Sequence, residues 1–242
     1  MAAINSKWRR WMATGCLHST HACREYMRLV RRFKKDYGPV RHIELGDVLE
    51  TTCLRSGARG TRDEAEPLEH DLKTGIDWIR EMEPSDWLLG NHDRRPYDLM
   101  DHPSAVVSEL SKRLVEDMRG AAAAGKCRMH EAYDIETSWL TVANIDFGHG
   151  WMYNINALRD HVEMRGRNVV IAHLHTPHEF GGRNVGAPRG ICVGTGADPR
   201  LMSYARRRRQ TLTWAHGIAF GEYTDTQSTM HLISWRCEHG QR

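Results

Sequence analysis

Across residues 22–35, Tyr26, Leu29, Val30 and Phe33 recur at steps of three and four between basic residues, the period of an amphipathic helix. The breaker pair Gly38-Pro39 closes it. A short strand is then expected over 40–45, feeding into Gly46-Asp47, and the charged, glycine-containing stretch 55–67 reads as an exposed loop. A second helix is expected over 69–82, with Leu72, Ile76 and Ile79 inward. Residues 86–89 form the next expected strand, which stops at Gly90-Asn91-His92-Asp93. Helical spacing returns over 104–118 through Val107, Leu110 and Leu114, with the small-residue stretch 120–125 as its end or its extension. Strands follow at 139–145, 169–172 and 190–193, and a hairpin over 211–235 breaks near 225–228.

Helices interleaved with strands, then mostly strands, indicate a layered α/β domain with polar turns gathered at strand ends. The 242 residues show no internal repeat and no long linker, so a single domain is expected over 1–242, with 95–126 as a small cap. Hydrophobic residues make up 40% and charged residues 27%, and no apolar run approaches the roughly 20 residues of a membrane span. The segment MAAINSKWRRWMATG lacks the apolar stretch of about 7 to 15 residues that a secretory signal needs. Six cysteines, scattered without a CxxC pair, fit reduced thiols, and a cytoplasmic location with no membrane partner is the expectation. A net charge of +3 is too small to argue by itself for nucleic acid.

Fifteen histidines change the picture, because histidine is the commonest metal ligand. Five segments place ligand-type side chains directly after an apolar run: Cys16-Leu17-His18, Gly46-Asp47, Gly90-Asn91-His92-Asp93, Gly148-His149-Gly150 and His173-Leu174-His175. Ligands at strand ends share one edge of a sheet. Residues two apart in extended chain face one side, so Cys16 with His18, and His173 with His175, are expected to converge.

In order and type these segments resemble the motifs of the calcineurin-like metallophosphoesterases, D-x-H, G-D, G-N-H-D/E, H and G-H-x-H, written here as C-L-H, G-D, G-N-H-D, H-G and A-H-L-H over about 160 residues. The resemblance implies a β-sandwich flanked by helices, with metals at strand-end loops. It implies a dinuclear centre in which Asp47 bridges one ion held by Cys16, His18 and His175 and another held by Asn91, His149 and His173. It implies hydrolysis of a phosphate ester by metal-activated hydroxide, with His92 protonating the leaving oxygen and Asp93 orienting its imidazole. Imidazoles, a carboxylate and an amide oxygen suit borderline divalent ions such as manganese, iron or zinc.

Two departures from the pattern stand out. Ala172 replaces the glycine before the last histidine pair, which costs only backbone freedom. Cys16 replaces the first aspartate, and a thiolate is softer and binds zinc at about 2.3 Å where oxygen binds nearer 2.0 to 2.2 Å. Gly15-Cys16-Leu17-His18 is similar to the G-C-x-H segment of lariat RNA debranching enzymes, a branch of that family acting on a phosphodiester. The expected substrate is therefore a nucleotide or nucleic-acid diester. A phosphomonoesterase or protein phosphatase is the alternative, and a non-catalytic scaffold with the same fold is a further one. Arg94, Arg95 and Trp151 are the candidate substrate contacts, and Arg206 to Arg209 form the strongest charge run, either a phosphate contact or a solvated loop. The other tryptophans mostly sit in apolar runs and read as core.

Overall fold

The computed structural model describes residues 7–202 and 212–237. Its first sheet is built on four parallel strands, β1 (Arg9–Thr14), β2 (Arg41–Glu44), β3 (Asp86–Leu88) and β4 (Arg128–His130). The second sheet is built from β5 (Leu140–Val142), β6 (Ile145–Phe147), β7 (Asn168–Ile171), β8 (His178–Gly181) and β9 (Arg189–Cys192), in the order β5-β6-β7-β9-β8. The chain then returns to extend the first sheet with the antiparallel pair β10 (His216–Tyr223) and β11 (His231–Trp235), giving the order β11-β10-β1-β2-β3-β4.

Between the sheets lies a shared core. Trp11, Ala13, Ile43, Leu45 and Leu88 of the first sheet meet Phe147, Val170, Ala172 and Ile191 of the second, with Trp11 and Phe147 edge to face at 5.0 Å. On the outer face of the first sheet pack α1 (Arg24–Tyr37), α2 (Leu68–Met82) and α4 (Ala105–Ala124), whose Tyr26, Val30, Trp78, Ile79, Val115 and Met118 are buried there. On the outer face of the second packs α5 (Ala157–Arg165) through Leu158 and Val162. The protein is thus an α/β fold of two sheets flanked by helices. Among the described residues no helix is long and apolar enough to cross a membrane.

The helix expected over 22–35 is α1, shifted two residues onward. Ala22 is held in a bridge with Ala197, and Gly38, left-handed at φ 60°, caps the end by donating its N–H to the Lys34 carbonyl. The expected strand over 139–145 is instead the hairpin β5-β6, because Ala143 turns left-handed at φ 52°. Gly90-Asn91-His92-Asp93 is more than a turn: it opens the short helix α3 (Asn91–Asp98). The helical spacing at 104–118 continues to Ala124, and its inner face is Ser111, Leu114, Val115, Met118, Ala121 and Ala122, while Leu110 is exposed. Residues 95–126, expected as a cap, form the end of α3 and all of α4. Helix α4 packs on α2 in the flanking layer as the crossover from β3 to β4. Trp11, Trp78 and Trp87 are fully buried, as their apolar runs indicate, whereas Trp8, set between basic residues, is exposed. Arg206 to Arg209 and the start of the expected hairpin at Thr211 lie outside the described residues.

Candidate metal centre

Three of the five ligand-type segments leave the sheet edge through a backbone conformation that L-residues rarely adopt. Cys16 (φ 53°), His18 (φ 54°), Asp47 (φ 52°), His173 (φ 34°) and His175 (φ 58°) are all left-handed, a clustering of strain typical of functional sites. The expectation that Cys16 with His18, and His173 with His175, converge along extended chain is therefore right in outcome for the first pair and wrong in cause. Leu17 and Leu174 do not simply alternate with their neighbours, and the second pair divides between two groups. Close backbone approach holds the loops together. A Cβ on Gly90 would collide with the Asp47 carboxylate, so the loops after β2 and β3 can touch only with glycine there.

Two groups of ligand atoms result, and Asp47 belongs to both. Cys16, His18, Asp47 and His175 offer atoms all within 4.8 Å of one another, and so do Asp47, His149 and His173. His149 Nε2 lies 3.1 Å from Asp47 Oδ2, 3.1 Å from His173 Nδ1 and 3.2 Å from Asn91 Oδ1. His149 Nδ1 donates to the Leu45 carbonyl at 2.8 Å, which fixes the tautomer and leaves Nε2 as a lone pair. Asp47 Oδ2, Asn91 Oδ1 and His173 Nδ1 thus converge on one imidazole lone pair. One proton could satisfy only one of these contacts, whereas a cation satisfies all of them.

The other group has the same character. His18 Nδ1 donates to Glu50 Oε2 at 2.6 Å, so its Nε2 lone pair faces His175 Nε2 at 3.0 Å, with Asp47 Oδ2 at 4.0 Å. His175 Nδ1 is buried with no partner. Burial, reinforced by the neighbouring imidazoles, pushes His175 well below its usual pKa and His173 down to about 3, so both are neutral and available as ligands. Burial opposes ionisation of Asp47, but His149, His92 and His18 outweigh it and hold the carboxylate well below the usual range. Burial and the Asp47 charge push the Cys16 thiol well above its usual value, so Cys16 joins this group as a thiol unless an ion displaces its proton. The residues fit a cation-binding centre on their donor chemistry alone.

His92 stands beside both groups. Its Nε2 is 4.0 Å from Asp47 Oδ2, its N–H donates to Asp47 Oδ1 at 2.8 Å, and its Nδ1 is bonded to the Glu50 carbonyl at 2.8 Å. Burial lowers its pKa, and the carboxylates of Glu50 and Asp47 more than reverse this, leaving it raised. Asp93 does not orient this imidazole. Its carboxylate is spent on the backbone N–H groups of Leu49, Gly90 and Val48 at 2.9, 3.1 and 3.4 Å, and burial with the Asp47 charge pushes it up to about 7. The helix N-terminus at Gly90 needs that acceptor more than His92 does. Glu50 takes the orienting role, holding His18 with its side chain and His92 with its backbone. No motif marks it.

Of the expected substrate contacts, Arg95 is near: its Nη1 donates to the Glu50 carbonyl at 2.7 Å, the same oxygen that binds His92. Arg94 is engaged by Asp98 Oδ1 at 2.9 Å and the Glu131 carbonyl at 3.3 Å and lies over Tyr97, with no site ligand among its partners. Trp151 stacks on Tyr133 at 4.0 Å, and Tyr133 in turn meets His149 edge-on at 5.9 Å, which puts this aromatic pair along one wall of the centre. Tyr133 is a member that sequence pattern does not signal.

No family model and no curated protein matches the sequence. Among solved structures, the chain is similar to Vps29 of Chaetomium thermophilum (11% identity, TM-score 0.43, covering 94% of this chain and 95% of that one). It is similar also to YfcE, a phosphoesterase from E. coli (12%, TM-score 0.41, 93% and 98%), and to Vps29 of Entamoeba histolytica complexed with Zn2+ (13%, TM-score 0.40, 93% and 98%). At such identities and scores the functional reading rests on the geometry of the centre.

Proposed function

We propose that this chain is a metal-dependent phosphoesterase that hydrolyses a phosphodiester, of a nucleotide or a nucleic acid, at a centre of two divalent ions. The observation that carries the reading is that Asp47 belongs to two acceptor groups at once, with Cys16, His18 and His175 on one side and Asn91, His149 and His173 on the other. Bound ions there would supply Lewis-acid activation of water and neutralisation of phosphoryl charge. The imidazole, carboxylate and amide donors suit zinc, iron or manganese, and the Cys16 sulfur tilts the preference away from magnesium and calcium towards zinc or iron.

The chain's own groups have distinct tasks in this reading. His92, held at Nδ1 by the Glu50 carbonyl, keeps Nε2 free to hold a proton and give it to the leaving oxygen. The carboxylates of Glu50 and Asp47 favour that protonated state, and ions bound at Asp47 would draw it back towards neutrality. The Arg95 guanidinium, anchored beside His92, offers charge to a phosphate oxygen. The Tyr133-Trp151 stack gives a flat aromatic wall suited to a base. Cys16 in the place of aspartate, the feature shared with debranching enzymes, supports a diester.

The test is hydrolysis of bis-p-nitrophenyl phosphate against p-nitrophenyl phosphate with manganese, iron or zinc added. The diester is expected to be the better substrate. Faster release from the monoester would overturn the diester assignment, and no release from either, with any ion, would overturn the enzyme reading.

A further inference from the structure

A second group of ligand-type side chains lies outside the Asp47 centre, where the residue before α1, the first residue of β10 and the chain just beyond β11 meet. We propose that Cys23, His216 and Cys237 bind a second kind of metal ion, a soft or borderline divalent cation such as zinc, in a thiolate-rich site. Their ligand atoms all lie within 4.8 Å of one another, all three residues are buried, and the two Sγ atoms are 3.1 Å apart. The six cysteines are free thiols, so no disulfide consumes the pair.

The imidazole makes the case more specific than two adjacent cysteines would. His216 Nδ1 donates to the Thr195 carbonyl at 2.7 Å, which turns the Nε2 lone pair towards the Cys23 thiol, the arrangement that orients ligating histidines. The ring is held by Tyr26 and Trp235, with centroids at 5.4 and 5.9 Å. A disulfide between Cys23 and Cys237 would leave that positioned lone pair without a function, whereas an ion uses all three groups. Two thiolates and one imidazole, without a carboxylate, suit zinc and discriminate against magnesium, calcium and manganese. Binding would release the thiol protons to solvent. A cavity of about 180 Å³ opens on His216 and Cys237 between Leu212, Trp214 and Pro199, with room for a water as fourth ligand. The three ligands come from segments far apart in the chain, so the ion would staple the start of α1 to the end of β11. It would also sit one residue from the Asp47 centre: Thr195, whose carbonyl holds His216, donates its hydroxyl to the Cys16 carbonyl at 3.0 Å.

Cobalt(II) titration of the metal-stripped, reduced full chain tests the site, because thiolate-to-cobalt charge transfer absorbs in the near ultraviolet and Cys16 can be removed as a competing source. The Cys16→Ser protein is expected to keep the band with one equivalent of cobalt, and the Cys16→Ser, Cys237→Ser double variant to lose it. No band in the Cys16→Ser protein would overturn the proposal. A readout on the unaltered chain guards against misfolding of the variants: zinc should slow maleimide labelling of Cys23 and Cys237 at least tenfold, mapped by mass spectrometry. Labelling indifferent to zinc, or a Cys23–Cys237 disulfide under the same reducing conditions, would overturn it.

Discussion

Glu50 Oε2 bonds His18 Nδ1 at 2.6 Å, lies 3.4 Å from His92 Nδ1 and 3.7 Å from His21 Nδ1, and its other oxygen accepts from the Thr52 hydroxyl. Burial would raise its pKa, but His92 and His18 outweigh it, so the carboxylate is ionised and specifies the His18 tautomer. Glu50→Gln keeps the shape and removes that specification. It is expected to weaken ion binding by roughly 10- to 100-fold, the usual cost of losing the group that orients a ligand, read by chelator competition; unchanged affinity would assign Glu50 to packing. Cys16→Asp makes the complementary change, exchanging a soft donor for a hard one. Activity supported by manganese or magnesium is expected to rise relative to zinc, and an unaltered order of metals would place the Cys16 sulfur outside the coordination sphere. The residues legible in the sequence are those that stand directly after apolar runs, such as Asp47, Asn91 and His149. Glu50 and Tyr133 were not legible, because a lone carboxylate three residues past Asp47 and a tyrosine in an irregular segment carry no pattern; their roles come from tertiary contact alone.

Among the elements, β3 is only three residues long and is stitched to both neighbours by one buried carboxylate. Asp86 accepts from Arg41 Nε of β2 at 2.9 Å and is paired with His130 Nε2 of β4 at 3.0 Å. Burial raises its pKa, and these bonds more than compensate, bringing it down to about 2 from the ordinary 3.8. A depressed carboxylate contributes stability that is complete above its unfolded pKa and is lost as pH falls through the folded one. The contribution here is about 2 kcal/mol, and it should fade between roughly pH 5 and pH 2. Asp86→Asn is expected to lower stability by about that amount at neutral pH and to flatten the acid limb of a denaturation series. An acid limb as steep as in the unsubstituted chain would show that other carboxylates carry it. Element by element, the sequence was clearest where one face alone is apolar, as in α1 and α2. It was misleading in α4, where half of the inward residues are small ones, Ser111, Ala121 and Ala122, and a leucine, Leu110, faces water. Strands β4 and β8 are too short, and too polar, for alternation to announce them.

At the scale of the whole molecule, the centre joins the two sheets. Cys16, His18, Asp47 and Asn91 follow β1, β2 and β3 of the first sheet, while His149, His173 and His175 follow β6 and β7 of the second. Without a cation, the acceptors of these loops oppose one another across the sandwich edge, on backbones already strained into the left-handed region. An ion bound there would act as a cross-link between sheets, and since the unfolded chain has no such arrangement, its binding energy would become folding energy. At a free ion concentration of 100 times Kd this amounts to about 2.7 kcal/mol for one site, equivalent to roughly 5 to 10 °C in Tm for a chain of this size. Chelation is accordingly expected to lower Tm by about that much, and re-addition of zinc or manganese to restore it. The Cys23-His216-Cys237 group would respond to zinc as well, so the decisive comparison uses manganese, which the two thiols disfavour. Manganese should stabilise the unaltered chain and Cys237→Ser equally, and should do little for Asp47→Asn. A manganese shift that survives in Asp47→Asn would mean that the ion stabilises the sandwich from somewhere other than the shared carboxylate.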